Sequence, residues 1–280
     1  MAFANVIDGS KRVKLADVNP SFHDGQDRPD AEALTAKLGA EMAELFDLLF
    51  AAGKHSLLIV LQGRDTSGKD GTIRQLLMYT NAQSCRVCPF KVPTAEEVGH
   101  DFLWRIHQQT PGKGSIAIFN RSHYEDVLVV RVHQLVPEKT WKRRYEHINN
   151  FESNLIDSNT IILKFYLHIS KDEQERRLLA REQETEKAWK LTVSDWKERE
   201  FWEDYTKAYE DAINRCSTPD APWHIISANH KWFRNLAITE SIVTTLRPYK
   251  IQWLDHLAEI GKTAKAELAA YRQSLNNAGK

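Results

Sequence analysis

Hydrophobic residues recur along the chain in two alternating patterns, and together these patterns predict an α/β fold. Short aliphatic and aromatic runs, typical of strands buried on both faces, fall at 57–61, 85–90, 115–119, 160–167 and 223–227. Between them, apolar residues return every three or four positions, which is the spacing of amphipathic helices. Strands that alternate with helices form a largely parallel sheet, so we expect a mainly parallel five-stranded sheet covered by helices.

Start and stop signals place the longer helices. Pro29 suits the first turn of a helix that ends at Gly53. Thr94 and Glu97 form a capping box for a helix that runs to about Gln109. Further helical patterns cover 127–135, 138–157, 232–246 and 253–275, and a charged stretch at about 171–214 holds two more.

The order of these patterns divides the chain into three parts. Residues 1–28 are polar and are expected to form a surface arm, although their basic cluster Lys11–Lys14 could instead attract an anionic substrate. Residues 29–248 are expected to form the α/β domain, with a charged insertion at about 171–214 that is expected to act as a mobile lid. Residues 249–280 form a helical tail, for which packing or contact between copies is the expected role.

The stretch from Ser56 to Gly71 reads as a strand, a glycine loop and the start of a helix. Its G-x-x-x-x-G-K sequence predicts a phosphate-binding loop of the Walker A type, because such glycines let backbone N–H groups turn toward an anion. An ordinary strand–loop–helix connection is the alternative. Besides Lys69, the expected phosphate-binding residues are Gly63, Arg64, Thr66, Ser67, Gly68, Asp70 and Gly71.

Asp70 occupies the position after Lys69 where most such loops carry a metal-binding Ser or Thr. A metal here therefore needs another ligand, and Asp65 is the carboxylate inside the loop. Polar residues also follow the strand at 115–119, and in phosphate-loop proteins an acidic residue there helps to hold the metal. These residues, which could alternatively cap a helix, are Asn120, Arg121, Glu125 and Asp126. The predicted metal ligands are thus Asp65, Glu125 and Asp126.

Several cations outside the loop are candidate phosphate ligands, although each could equally be a solvated surface residue. Lys91 follows the strand at 85–90, and Arg131 lies one or two turns beyond the 120–126 segment. The charged insertion adds Arg177, Arg181, Lys187 and Lys190. A lid that brings arginine over a transferring phosphoryl group neutralises its charge.

The composition of the chain limits the classes of binding partner that we expect. Lys plus Arg and Asp plus Glu both number 38, so net charge gives no argument for nucleic-acid or membrane binding. No apolar run reaches the roughly 20 residues of a membrane helix, and the N-terminus lacks a signal-peptide core. The three cysteines indicate a reducing, cytoplasmic location, with inert thiols rather than a metal site.

The motifs QGRDTSGKDGT, FKVPT, HDFLWRIH, IFNRSHYEDVLVVRVH, KFYLHIS, KAWK and KWFRN occur in this order within residues 11–247. This set resembles the polyphosphate kinase 2 family. The resemblance implies a P-loop kinase-like three-layer α/β/α sandwich with a helical lid. It also implies phosphoryl transfer between inorganic polyphosphate and nucleotides (AMP, ADP, ATP and also guanine nucleotides), Mg²⁺ with Mn²⁺ as a substitute, and a homodimer or homotetramer.

Carried over by position, the resemblance assigns catalytic roles to Asp65, Lys69 and Arg121, with Arg181 as the lid arginine. Asp126 joins the predicted catalytic residues because of its place after the strand at 115–119. Asn120 stands where members acting on nucleoside diphosphates usually carry aspartate. The sequence therefore resembles the branch that accepts nucleoside monophosphates, and in some members diphosphates too. An ATP-dependent small-molecule kinase and a non-catalytic nucleotide- or polyphosphate-binding regulator are the alternatives.

Overall fold

Six strands form one sheet at the centre of this computed structural model, which describes residues 2–183 and 193–278. Their order across the sheet is β1-β6-β5-β2-β4-β3. All neighbouring strands are parallel except β1 and β6. The strands are β1 (Asn5–Ile7), β2 (Ser56–Gln62), β3 (Cys85–Pro89), β4 (Ile116–Asn120), β5 (Thr160–His168) and β6 (Trp223–Ser227).

The expected mainly parallel sheet is confirmed, but within the described residues it has six strands rather than five. The additional strand, β1, lies in the segment expected to be a surface arm and pairs antiparallel with β6 at the sheet edge. Three residues are too few to show strand periodicity, and Val6 is 45% exposed. Only the pairing with β6 makes this segment a strand.

Helices cover both faces of the sheet. They are α1 (Arg28–Ala52), α2 (Lys69–Leu77), α3 (Ala95–Val98), α4 (Trp104–His107), α5 (Val129–Val132), α6 (Glu138–Asp157), α7 (Lys171–Gln183), α8 (Val193–Glu198), α9 (Trp202–Arg215), α10 (Lys231–Leu246) and α11 (Lys250–Ala278). The helix expected from Thr94 to Gln109 is instead two short ones. The capping box of Thr94 forms, but Asp101 accepts a hydrogen bond from the Leu103 N–H in a turn that separates α3 from α4.

Each face of the sheet has its own hydrophobic core. On β2 the fully buried side chains alternate, with Leu57, Ile59 and Leu61 in one core and Leu58 and Val60 in the other. The first core also holds side chains of α1, α2, α10 and α11, and the second those of α6 and α9. Burial on both faces explains the continuous apolar runs and makes the three-layer sandwich.

The sheet order places two sequence motifs side by side. β2 and β4 are parallel neighbours, with Leu61 opposite Asn120 in the register. The glycine loop leaves β2 and the 120–126 segment leaves β4 at the same edge, which is where open α/β sheets bind ligands. No helix within the described ranges has the length and apolarity required to span a lipid bilayer.

Candidate active site

The loop after β2 has a backbone conformation with several positive φ angles, which glycine adopts more easily than other residues. Gly63 and Gly68 have φ values of 154° and 108°, and Thr66 adopts 65°. A Cβ on Gly63 would lie 2.6 Å from Ser67 Oγ, and one on Gly68 would overlap Nη1 of Arg234. The glycines are therefore needed both for conformation and for close approach.

Lys69 begins α2 and turns back over this loop. Its Nζ is buried and donates to the carbonyl oxygens of Gly63 and Arg64 at 2.6 and 3.1 Å. Burial, and secondarily Arg121, lower the pKa of Lys69 to about 8, although nearby carboxylates oppose the shift. An anion bound at the loop would favour the protonated lysine.

Three hydroxyl groups at the loop are buried without a hydrogen-bond partner in the described structure. They are Oγ1 of Thr66, Oγ of Ser67 and Oγ1 of Thr72. Buried polar atoms of this kind normally find partners. Their position beside Lys69 at the N-terminus of α2 is suited to ligand oxygens from a phosphate or a hydrated metal.

Arg121 crosses from β4 to the loop. It has a positive φ of 64°, and its Nη2 donates to Asp65 Oδ1 at 2.8 Å, while Nη1 lies 3.7 Å from Glu125 Oε2. Burial acts to lower the pKa of Arg121, but Glu125 and Asp65 together raise it above its ordinary value. The guanidinium is therefore a permanent cation, and 42% of its side chain is exposed to the crevice.

A second contact joins the same two elements. Asn120 Nδ2 donates to Asp70 Oδ1 at 3.1 Å, so the residue after the loop lysine is bound to the end of β4. Glu125 is nearly buried, and burial raises its pKa even though Arg121 and Lys69 act to lower it. Asp65, Lys69, Asn120, Arg121 and Glu125 thus lie around one crevice at the carboxyl edge of the sheet.

Asp126 lies apart from that crevice. It accepts a hydrogen bond from Arg144 Nη1 at 2.8 Å, and burial raises its pKa to about 6 despite Arg144 and Arg105. Residues 123–127 form a 3₁₀ helix, in which consecutive side chains point about 120° apart, so Glu125 and Asp126 face different neighbours. The expected trio of metal carboxylates is therefore not assembled. Within residues 2–183 and 193–278, no three His, Cys, Asp or Glu side chains are grouped to hold a metal.

Arg177, expected to contact phosphate, instead supports the loop from α7. Its Nη1 donates to the carbonyl oxygens of Thr66 and Ser67 at 2.9 and 3.0 Å, and its Nη2 donates to those of Ala228 and Asn229. The buried guanidinium of Arg177 therefore holds the loop in its curved shape from the side opposite the crevice. Because its N–H groups donate to these carbonyl oxygens, they do not face the crevice.

Arg64 connects the loop to α9, as Arg177 connects it to α7. Its guanidinium carbon lies 3.6 Å from the Trp202 ring centroid, and its Nη2 donates to the Trp202 carbonyl oxygen and to Thr206 Oγ1. Arg131, also expected at the anionic site, donates to Asp211 Oδ2 at 2.6 Å and joins α5 to α9. Both side chains therefore hold elements together in this structure.

The remaining predicted cations are less constrained. Arg181 lies 3.6 Å from Asp195, across α7 and α8. Lys91 has an exposed side chain, while its carbonyl oxygen accepts a hydrogen bond from Arg105. Lys187 and Lys190 lie outside the described residues.

Sequence reasoning missed Arg234, which packs against the loop from α10. It is 3% exposed, contacts the space beside Gly68 and Gly71, and donates to Asn235 Oδ1. Burial, with help from Arg177, lowers its pKa to about 10. The KWFRN motif contains this residue, but the helical pattern at 232–246 predicts only a helix and gives no role to Arg234.

A buried ion pair behind the 123–127 turn was missed as well. Lys164 in β5 and Glu152 in α6 are joined at 2.6 Å, and both are almost fully buried. Glu152 also accepts a hydrogen bond from the Tyr124 hydroxyl at 2.7 Å and lies 3.2 Å from His123 Nε2. The pair therefore holds the segment that carries Arg121 and Glu125. A lysine inside the apolar run of β5 was its only sequence signal.

A cavity of about 730 Å³ opens between α4 and α6. Its lining includes Phe102, Arg143 and Arg144, together with several histidines. Arg144 connects it to the 123–127 turn through Asp126. Such a volume and cationic lining suit an anionic organic molecule.

The chain is similar in sequence and in structure to known proteins of one family. The sequence model described as Polyphosphate kinase 2 matches residues 25–252. An AMP/ADP-polyphosphate phosphotransferase of Meiothermus ruber is 48% identical over 247 residues, covering 88% of this chain and 92% of that protein. An ADP-polyphosphate phosphotransferase of Rhodopseudomonas palustris is 40% identical, covering 84% of each. The crystal structure of polyphosphate kinase 2 from Arthrobacter aurescens superposes with a TM-score of 0.82 at 40% identity, covering 89% of this chain and 92% of the other.

Proposed function

The chain belongs to the polyphosphate kinase 2 family, and we propose that it transfers a phosphoryl group reversibly from inorganic polyphosphate to AMP and ADP. The observation that carries the proposal is the crevice in which Lys69 and the Arg121–Asp65 pair meet at the ends of β2 and β4. A phosphate loop facing a second cation is the arrangement that two phosphorylated substrates require. Relatives named for AMP/ADP-polyphosphate and ADP-polyphosphate transfer support the substrate class.

The main obstacle to this reaction is electrostatic. Two unit charges about 4 Å apart repel by about 4 kcal/mol at an effective dielectric of 20, and polyphosphate and a nucleotide each carry several. Lys69 and Arg121 would cancel part of this repulsion, and Arg181 would do so when 171–214 closes as a lid. Positioning and electrostatic stabilisation then supply most of the rate enhancement. The acceptor oxygen is already anionic, so no strong general base is required.

The metal in this proposal is Mg²⁺, with Mn²⁺ as a substitute. Mg²⁺ usually keeps several waters and binds through one or two carboxylates together with substrate phosphates. Asp65 fits that description, since it lies in the loop beside the unpartnered hydroxyls of Thr66 and Ser67. Glu125 is near enough to assist through Arg121, whereas Asp126 would act through the 123–127 turn. The metal's contribution would be to withdraw charge from the phosphates.

Other predicted residues keep supporting roles. Asn120 and Lys91 are proposed to contact the acceptor phosphate, and the glycines and backbone N–H groups of the loop to contact polyphosphate. AMP and ADP are both proposed acceptors, and Asn120 supports AMP because it stands in place of the aspartate usual in diphosphate-specific members. ATP is the product formed from ADP, and guanine nucleotides are proposed as further acceptors. We also propose a cytoplasmic location, a 29–248 domain and no nucleic-acid or membrane partner.

The donor decides between this function and its rivals. Purified protein is incubated with AMP and Mg²⁺ plus either polyphosphate or ATP, and ADP is measured over time. We expect ADP with polyphosphate, continued conversion to ATP when polyphosphate is in excess, and loss of both after chelation of the metal. Lys69→Met should abolish turnover, while Lys262→Met, at an exposed position of α11, should not. Equal or faster ADP formation with ATP as the donor would reject the proposal, and so would binding without turnover.

A further inference from the structure

Four buried polar side chains form one hydrogen-bonded group behind the turn at 123–127. We call them the buried cluster: His123, Tyr124, Glu152 and Lys164. Lys164 Nζ donates to Glu152 Oε2 at 2.6 Å, to the Tyr124 hydroxyl at 3.1 Å and to the carbonyl oxygen of Cys216. An ammonium group has three N–H donors, so all of them have an acceptor here. Glu152 Oε1 also accepts from the Tyr124 hydroxyl at 2.7 Å, and the two charges are therefore both paired and hydrogen-bonded.

The buried cluster does not itself reach the crevice. Each of its four residues is at most 3% exposed, so a substrate in the crevice does not contact them. Burial lowers the pKa of His123, although Glu152 opposes the shift, and burial raises the pKa of Tyr124 well above its ordinary value. Neither group is therefore placed or poised to exchange a proton with a substrate. The cluster can act on a reaction only through the residues beside it in the chain.

Stability alone does not account for an ion pair at this place. Removing two charges from water is costly, and apolar side chains of similar volume often give equal or greater stability than a buried pair. Lys164 interrupts a strand in which the three residues on either side are aliphatic or aromatic. A buried pair adds direction, because its hydrogen bonds form only in particular orientations of donor and acceptor. The useful question is which group the cluster orients.

The group that it orients is the turn at 123–127, which is a 3₁₀ helix with side chains about 120° apart. Because Tyr124 is held inward, the next side chain, that of Glu125, is turned toward Arg121, 3.7 Å away. Arg121 itself has a positive φ of 64°, a conformation that persists only where the surrounding structure enforces it. Holding Tyr124 therefore fixes the rotation of the turn and the direction of both charged groups at the crevice.

We propose that Glu152 is a positioning residue for phosphoryl transfer, which holds Tyr124 so that Arg121 and Glu125 face the crevice, with Lys164 as its buried counter-ion. The proposal rests on the proposed function, since its rate measurement is polyphosphate-dependent turnover. A misplacement of about 1 Å at a site of this kind can cost about 100-fold in rate. Charges that stabilise the transition state act on kcat more than on KM, so the loss should appear in kcat.

Two double variants separate the hydrogen bond from the charges. Glu152→Gln/Lys164→Met removes both charges but keeps an amide oxygen that can accept from the Tyr124 hydroxyl. Glu152→Leu/Lys164→Met removes that acceptor as well. For ADP formation from AMP and polyphosphate, we expect the leucine-containing variant to lose at least about tenfold in kcat with both KM values within about twofold. The glutamine-containing variant should stay within about threefold of the wild-type kcat. Equal kcat values in the two double variants would overturn the proposal.

Two single variants test the same hydrogen bond and calibrate the loss of stability. Tyr124→Phe removes only the hydroxyl and keeps the ring, and we expect it to lower kcat about threefold to tenfold. Met42→Ala, at a fully buried position of α1 on the other face of the sheet, should lower the urea midpoint of unfolding and leave kcat unchanged. A wild-type kcat in Tyr124→Phe, or an equal loss of kcat in Met42→Ala, would contradict a positioning role.

Crystal structures of the wild type, of Tyr124→Phe and of Glu152→Leu/Lys164→Met decide the proposal without turnover. We expect the distance between Arg121 Nη2 and Asp65 Oδ1, which is 2.8 Å here, to lengthen in the variants, and Glu125 to turn away from Arg121. Unchanged positions of both side chains would overturn the proposal even if kcat fell. If the wild type formed no ADP from AMP and polyphosphate, the proposed function would be rejected, and these structures would still confirm or refute the positioning by Glu152.

Discussion

Replacement of Gly68 by alanine tests how tightly the loop and Arg234 fit together. The new methyl group would meet two obstacles: a φ of 108°, and the Nη1 atom of Arg234 in the space it must occupy. The left-handed conformation costs a non-glycine residue roughly 1–2 kcal/mol. Displacing the buried guanidinium from its hydrogen bonds to Asn235 adds about 1–2 kcal/mol. We therefore expect Gly68→Ala to lower the free energy of unfolding by about 2–4 kcal/mol.

Gly53 supplies the matched control. It also has a positive φ, 57°, but a Cβ there would have no atom within 4 Å. Gly53→Ala should therefore cost only the conformational part, about 1 kcal/mol. Free energies of unfolding from urea titrations give both values, and polyphosphate-dependent ADP formation reports the loop, where we expect Gly68→Ala to lose at least about tenfold in kcat/KM.

A double variant isolates the contact. Arg234→Ala in the Gly68→Ala background removes the overlap but not the strain, so the two substitutions should be coupled by about 1–2 kcal/mol. Equal destabilisation in Gly68→Ala and Gly53→Ala, with normal turnover in both, would refute the reasoning. It would mean that the arginine withdraws freely and does not hold the loop.

Three further predictions concern named groups of the site. Because the pKa of Lys69 is lowered to about 8, kcat/KM for polyphosphate should fall as the pH rises through about 8. Lys69→Arg should remove this decline while lowering the maximum value of kcat/KM. Identical pH profiles of the wild type and the variant would contradict this prediction. The folded pKa of Asp126 is raised from 3.8 to about 6, so the folded protein binds the extra proton and stability should fall as the pH rises from about 4 to 6. Relative to Asp126→Asn, the wild-type free energy of unfolding should drop by about 2–3 kcal/mol between pH 4 and 7, as urea titrations would measure. Arg181→Ala should lower kcat at least about tenfold with less change in the KM for AMP. Arg176→Ala, on the exposed face of the same helix, should change neither value. Steady-state kinetics that give both variants the same kcat would remove the lid arginine from the mechanism.

Much of the sheet could be predicted from the sequence because its central strands are buried on both faces. Such strands need continuous apolar runs, and those runs are visible without a structure. Helix α6 was predicted with the bounds Glu138–Asp157 that the structure has, since its amphipathic pattern is long and strong. By contrast, β1 has three residues at an edge and depends on β6 for its existence. Sequence patterns therefore sufficed to predict a strand or helix where a continuous run or a long periodic series of its own residues is buried.

The site was less predictable because the type of a residue does not determine where its side chain points in the fold. The glycine loop, Lys69 and Arg121 converge because β2 and β4 are neighbours, which their polar ends suggested. The direction of Asp126 depends on a 3₁₀ turn that its sequence does not announce. Arg177 looked like a phosphate ligand, but the docking of α7 turns its donors toward loop carbonyls. Tertiary packing decides whether a buried arginine binds a ligand or the protein.

The anchoring of the loop by arginines has a practical consequence for enzyme engineering. Arg64 reaches forward to Trp202, while Arg177 reaches back to Thr66 and Ser67. A chimera that imports the helices between β5 and β6 from a relative would cut both connections unless the recipient loop and the donor helices were exchanged as a matched set. Grafts of that kind should be designed with residues 63–68 and 171–215 as one transferable module.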